Sequence, residues 1–348
     1  MTGKNRLIPV VVVGTVLWGV CGSPAQTRKN PAAKNKAPDI VMQAYRMRME
    51  GKIDEAKTIL EQALSEKPAR AAAWFELARV EFHKSGVTHD LDSAQQAIER
   101  AIKLDLRNSR YHCWASRIAV YSGIIKSHGK DTPGMLEQFQ KAARAAERAV
   151  TLDPDDHEAR MILVSLYGNN PRELGGDARR AEQHVKTLER RSAVDGAVAR
   201  CAFSLKGQPE KRIALWNEMA KMFPENSRVH ENLAREHALA RNVKLARVHA
   251  NKALALDPKR NQILVDLTRT LAVNRNFEPA EKFAGRYLAL DPPGPLSLRA
   301  WTQMALGRIQ QMVGDKRASA ASLEQAKELD PYCWFTMSPP PEQLFESP

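Results

Sequence analysis

The chain has 348 residues, 53 of them Lys or Arg against 40 Asp or Glu, for a formal net charge of +13. Its composition is 43% hydrophobic and 27% charged, as in ordinary soluble proteins, and aromatics at 6% with a heavy use of Ala suit closely packed helices better than sheets. Four cysteines without a CxxC pair indicate neither a dense disulfide framework nor a zinc site.

Residues 1–25 run in the order charged, apolar, small: Lys4 and Arg6, the apolar stretch Leu7 to Val20, then Cys21 to Ala25. That is the order of a secretory signal peptide, with cleavage expected after Ala25 and a periplasmic or secreted address. A retained membrane anchor is the rival, although the run is short beside the roughly twenty apolar residues of a span. A third reading lipidates Cys21, but Val20 stands where a lipoprotein signal needs Gly or Ala. Cleavage removes Lys4 and Arg6 and leaves about +11. A basic balance favours acidic proteins, anionic polymers or anionic membrane surfaces, unless the Lys and Arg merely solvate helix faces. Residues 26–36, rich in Lys, Asn, Pro and Ala, read as a linker.

From residue 37 the chain repeats. Leu-Asp-Pro occurs at 152–154, 256–258, 290–292 and 329–331, each time closing a run of apolar residues spaced three and four apart. Proline cannot continue a helix and pushes the residue before it out of the helical region, so each triplet is a helix stop. A small residue recurs five positions before the stops, at Ala63, Ala101, Ala149, Ala253 and Ala326, where it lets two helices approach.

Pro224, Pro258 and Pro292 are 34 residues apart, and a 34-residue helix-turn-helix unit of this kind resembles the tetratricopeptide repeat. In 37–68, Gly51, Ala56, Leu60, Ala63 and Pro68 match the family's pattern. In 71–106, Trp74, Leu77, Ala78, Ala94, Ile98 and Ala101 do so, around an insertion at 83–92. In 108–154 the matches are Trp114, Tyr121, Ala142, Ala146, Ala149 and Pro154, around a longer expected loop at 124–134. Residues 157–193 carry Leu163, Tyr167, Ala181, Val185 and Leu188 about an unusual loop at 169–177. The unit 193–224 is weakest, because Arg212 and Met219 replace small residues. Units 227–258, 261–292 and 300–331 fit again through Leu233, Ala234, Ala246, Ala253, Leu267, Ala280, Ala284, Leu306, Gly307, Gly314, Leu323 and Ala326. The resemblance implies an all-α, right-handed α–α superhelix of about eight helix pairs over 37–331, whose stacking builds one core with a concave and a convex face. Residues 332–348 hold four prolines and read as an extended tail, with Tyr332, Trp334 and Phe335 placed to cap the last repeat.

A search for chemistry finds little. His230 and His237 share a helix face seven residues apart, but Ala234 occupies the position a second zinc ligand of the His-Glu-x-x-His kind needs, so packing or solvation is the simpler reading. Gly175-Gly176-Asp177 opens a helix whose amides suit an anion; the simpler reading is a tight turn plus a cap from Asp177. Cys113 and Cys201 read as ordinary buried residues. There is no nucleophile elbow, Walker loop or dinucleotide fingerprint, so the chain is expected not to be an enzyme and to need no cofactor or metal.

What the resemblance implies instead is an interaction scaffold or adaptor that holds a peptide segment or partner protein in its concave groove, with no specific nucleic-acid partner. An anionic cell-envelope polymer or membrane surface is the alternative ligand, resting on the basic charge. Counted from repeat starts at 71, 227, 261 and 300, the ninth position is Arg79, Arg235, Arg269 and Arg308. It lies about 100° from the packed eighth position, and in the family this position faces the groove. A guanidinium ladder suits carboxylates or phosphates, so an acidic peptide is the expected ligand type. The family's carboxylate clamp has Asn there, so its particular ligands do not carry over. The rival reading pairs each Arg with a neighbouring acid, with Glu231 and Glu281 close in sequence.

Overall fold

The computed structural model describes residues 39–291 and 293–332. The signal-like segment 1–25, the linker 26–36 and the tail beyond Tyr332, including Trp334 and Phe335, lie outside them. Among the described residues there are sixteen α-helices and no strand. They pair as α1 (Ile40–Met49) with α2 (Ile53–Glu66), α3 (Ala71–Thr88) with α4 (Asp92–Leu104), and α5 (Ser109–His128) with α6 (Thr132–Leu152). Next come α7 (His157–Asn169) with α8 (Ala178–Arg191), α9 (Ala193–Ala202) with α10 (Pro209–Met222), and α11 (Ser227–Leu239) with α12 (Val243–Leu256). The last pairs are α13 (Gln262–Val273) with α14 (Phe277–Leu288), and α15 (Leu296–Met312) with α16 (Lys316–Leu329).

The stops work as proline chemistry dictates. Asp153, Asp257 and Asp330, each before a proline, hold extended backbone at φ/ψ of −131°/94°, −149°/96° and −155°/103°. Starts are fixed by side-chain acceptors: Asp131, Asp156, Asp177, Ser192, Asn242 and Asp315 each accept from a first-turn amide. The recurring alanines are buried, Ala101, Ala149 and Ala253 completely, so neighbouring helices meet where a larger side chain has no room.

Two expected loops are helix instead. The insertion at 83–92 is mostly taken up by α3, which continues through Thr88, and that at 124–134 by lengthening α5 and α6 to 20 and 21 residues. The cause is packing: Ile124 and Ile125 extend the apolar stripe of α5. A Cβ on Gly123 would lie 2.6 Å from a ring carbon of Phe139, so glycine there lets α6 close on α5.

Consecutive first helices touch one another (α1 with α3, α5 with α7, α7 with α9, α11 with α13, α13 with α15), while second helices of neighbouring pairs do not pack to the same degree. The first helices therefore line the inner face of the curve. The fifth pair departs from this pattern. Its α9 packs more closely on α8 than on its own partner α10, and Arg200 of α9 ion-pairs with Glu182 and Glu189 of α8. Helix α10 leans the other way, on α11. Trp216, 1% exposed, fills the space between α10 and its neighbours.

Candidate functional site

At the N-terminal end of the inner face, three first helices bring Arg48, Arg79 and Arg110 together. Glu76, 2% exposed, accepts from Arg48 Nε at 2.7 Å and from Arg79 Nη1 at 2.9 Å. The Arg79 guanidinium lies 5.5 Å from the Tyr45 ring centroid, 5.6 Å from Phe75 and 5.2 Å from Trp114, and Arg110 lies 5.2 Å from Phe75. Aromatic faces stabilise guanidinium at this range. Three positive groups around one carboxylate leave an excess: burial first, then the charges of Arg48 and Arg110, bring Arg79 down to about 10. Buried Arg48 Nη2 and Arg79 Nε have no acceptor. Arg117 of α5 pairs with Glu158 of α7 and stacks 4.6 Å from Trp114, continuing the row.

In the C-terminal half the charges are closer to balance. Arg235 donates to Asp266 from Nε at 3.0 Å and to Glu231 at 2.5 Å, while Glu231 also accepts from Arg260 at 2.7 Å. Burial works against the charge of both Glu231 and Arg235. Two cations nonetheless hold the Glu231 carboxyl below the usual range, and two acids raise Arg235. Arg269 is half-buried, lowered by that burial, and interacts electrostatically with Asp266 and with Tyr121 of α5. Arg308 is 4% exposed. Of the four ninth-position arginines, Arg235 and Arg269 thus converge on Asp266, Arg79 gathers with Arg48 and Arg110, and Arg308 is sunk in α15.

Elsewhere the polar groups do structural work. His230 and His237 enclose a third imidazole, His249 of α12, with centroids 5.4 and 5.5 Å apart and planes within 11°. Among the described residues no group of three or more His, Cys, Asp or Glu is arranged to hold a metal. Gly175 has φ of +83°, a Cβ on Gly176 would lie 1.9 Å from Asn170 O, and Asp177 caps α8, so the Gly-Gly-Asp segment is built as a turn and cap. Cys113 and Cys201 are free, buried thiols, both pushed up by burial. No described helix is long and apolar enough to cross a membrane.

Sequence spacing did not flag Arg48, Arg110 or Tyr45. A signal existed, since Tyr45, Arg48, Arg79 and Arg110 all fall in first helices, but the family pattern is weak over α1. Glu76 and Asp266, the acids that fix Arg79 and Arg235, carry no signature of their own.

Residues 47–113 match the family description "Tetratricopeptide repeat". No curated protein sequence matches the chain. Among solved structures, a thermophilic TPR protein of Thermus thermophilus aligns at 18% identity over 67% of this chain and 97% of its own, with a TM-score of 0.41. A tetratricopeptide repeat protein of Parabacteroides merdae aligns at 13% identity over 82% of this chain and 97% of its own, at 0.43. Yeast Tom70 aligns at 13% identity over 83% and 75%, at 0.35. Superpositions at these scores are partial and say nothing of what this chain binds. The family match over 47–113 is continued by eight stacked helix pairs with the same stops and small contact residues, so the described residues fold as a tetratricopeptide-like helical solenoid.

Proposed function

We propose that the chain is a non-enzymatic interaction scaffold, acting outside the cytoplasm, that holds an acidic peptide segment or partner protein against the inner face formed by its first helices. The carrying observation is the arginine surplus at the N-terminal end: Arg48 and Arg79 share one carboxylate, Glu76, while Arg110 adds a third positive charge beside Arg79 against the Phe75 ring. Adding an anion there supplies the missing acceptors and relieves like-charge repulsion. Arg235 and Arg269, gathered on Asp266, extend the contact along the C-terminal half. The flanking rings of Tyr45, Phe75 and Trp114 suit the apolar side chains of a peptide.

The test is binding of a decaglutamate peptide, with melting temperature in parallel, for Arg79→Gln/Arg110→Gln and for Arg235→Gln/Arg269→Gln/Arg308→Gln. Affinity lost at least tenfold with stability intact supports the reading; binding intact while stability falls makes the arginines structural and overturns it. The formal charge of +13 favours one other ligand, an anionic envelope polymer or membrane surface. It predicts binding of polyphosphate or acidic vesicles that collapses between 50 and 300 mM salt, with no preference for peptide. The extracytoplasmic part rests on the N-terminal segment order, and N-terminal sequencing tests it: a mature start at Gln26 is expected, and an intact Met1 chain in the cytosol refutes it.

A further inference from the structure

The two ends of the solenoid meet. Gly51, in the turn between α1 and α2, has φ of +77°, and a Cβ on it would lie 2.5 Å from Leu296 Cδ2 and 2.8 Å from Leu329 O. The last helix pair is therefore seated directly on the first. Polar groups surround this contact. His83 Nε2 lies 2.7 Å from Asp330 Oδ2, and Asp330 is 1% exposed. The Tyr332 hydroxyl donates to Asp54 at 2.8 Å, and Lys84 Nζ reaches the same carboxylate at 2.6 Å while lying 5.2 Å from the Tyr332 ring centroid. Tyr332 packs on the N-terminal core. Across the interior, Arg269 of the seventh pair interacts with Tyr121 of the third. The first and last pairs thus close on each other, and the third and seventh pairs come near enough across the interior to interact electrostatically.

The seam differs from the other interfaces. Neighbouring repeats are joined by continuous apolar packing. Apart from the buried Asp330 carboxylate, the seam relies on a small apolar contact plus ion pairs and hydrogen bonds at partly exposed groups, which water replaces readily. Midway along the chain, the fifth pair is the one whose two helices lie least closely together, with α9 held to α8 and α10 to α11 and the apolar cluster around Trp216 joining them. Arg212 Nε lies 3.0 Å from Glu236 Oε2 there, at an angle that makes no hydrogen bond.

We infer that the solenoid is a clasped ring: Asp54, His83 and Lys84 against Asp330 and Tyr332 hold it shut, and it opens at this seam by flexing between α9 and α10. Opening exposes the inner face, and that this admits a partner rests on the scaffold reading above. A folded or long chain cannot thread into a ring joined at this seam, whereas parting a mostly polar seam disrupts little packed core.

The experiment uses the mature chain with its native cysteines replaced by Ser and Arg269→Cys as an inner-face probe. Two seam variants are compared with it, Asp54→Asn/His83→Ala and Lys84→Ala/Tyr332→Phe; the second changes only partly exposed partners. Small-angle X-ray scattering reads the maximum dimension, and 5 kDa maleimide-polyethylene glycol reads access to the thiol. At unchanged helicity, both variants should show a larger maximum dimension and thiol modification faster by about tenfold, which corresponds to about 1.4 kcal/mol. An unchanged dimension in the folded variants overturns the clasp. A larger dimension with unchanged modification overturns its control of the inner face. Decaglutamate binding is scored separately on the chain that keeps Arg269, so its failure counts against the scaffold reading and leaves the clasp to be judged by scattering and labelling.

Discussion

Acidification is expected to loosen the sixth repeat through His249. Its ring is sandwiched between His230 and His237, with Nδ1 3.2 Å from His230 Nδ1. Burial above all, then the neighbouring His230, His237 and Lys252, lower it to about 4. The unfolded chain protonates this imidazole near 6.5, whereas the folded chain resists until about 4. Its contribution to stability is therefore complete above pH 6.5 and is lost as pH falls through that window, levelling off below pH 4. The full shift corresponds to about 3 kcal/mol; the ring is only half-buried, so screening by water brings the expected loss to about 1–2 kcal/mol. Urea unfolding of the native chain and His249→Phe, at half-unit steps from pH 7 to 4, isolates the effect. Phe keeps the stacking and cannot titrate, so the two stabilities should diverge below pH 6.5 in favour of the variant. Parallel curves would refute the reasoning.

Other perturbations test the packing. Ala253→Trp forces an indole into a fully buried helix contact and should cost about 3 kcal/mol or more, read as a large drop in melting temperature; an unchanged value would place the repeat register wrongly. Trp216→Ala empties the joint of the fifth pair, at about 3–5 kcal/mol, and should split thermal unfolding into two calorimetric transitions where the native chain shows one. Asp177→Ala removes the cap of α8 and should cost about 1 kcal/mol by denaturant midpoint, with α8 amides exchanging faster.

Much of the fold was legible because repeats write their geometry locally. Leu-Asp-Pro at 152–154 and 256–258 states a stop in three residues, and Ala101 or Ala149 states a close approach in one. The insertion at 83–92 and the loop expected at 124–134 are mostly helix, yet in sequence both simply break the 34-residue spacing. A longer helix breaks that spacing too, and only the packing of Ile124, Ile125 and Phe139 decides between them. Arg212 and Met219 correctly marked the fifth unit as irregular, though not that its two helices side with different neighbours. The recurrence of Arg at the ninth position is legible in the sequence, while the acids that fix Arg79 and Arg235 depend on how helices lie against one another. His249, 19 residues from His230, and Asp330, 247 residues from His83, meet their partners only through tertiary structure.

The central claim is that partners are held by the first helices and not by the outer ones. Hydrogen exchange with mass spectrometry on the full chain, with and without saturating decaglutamate, tests it most directly. The account predicts slowed exchange in α1, α3, α5, α11, α13 and α15, with α4, α6, α12 and α16 unchanged. Protection confined to the second helices, or spread equally over both sets, would contradict it.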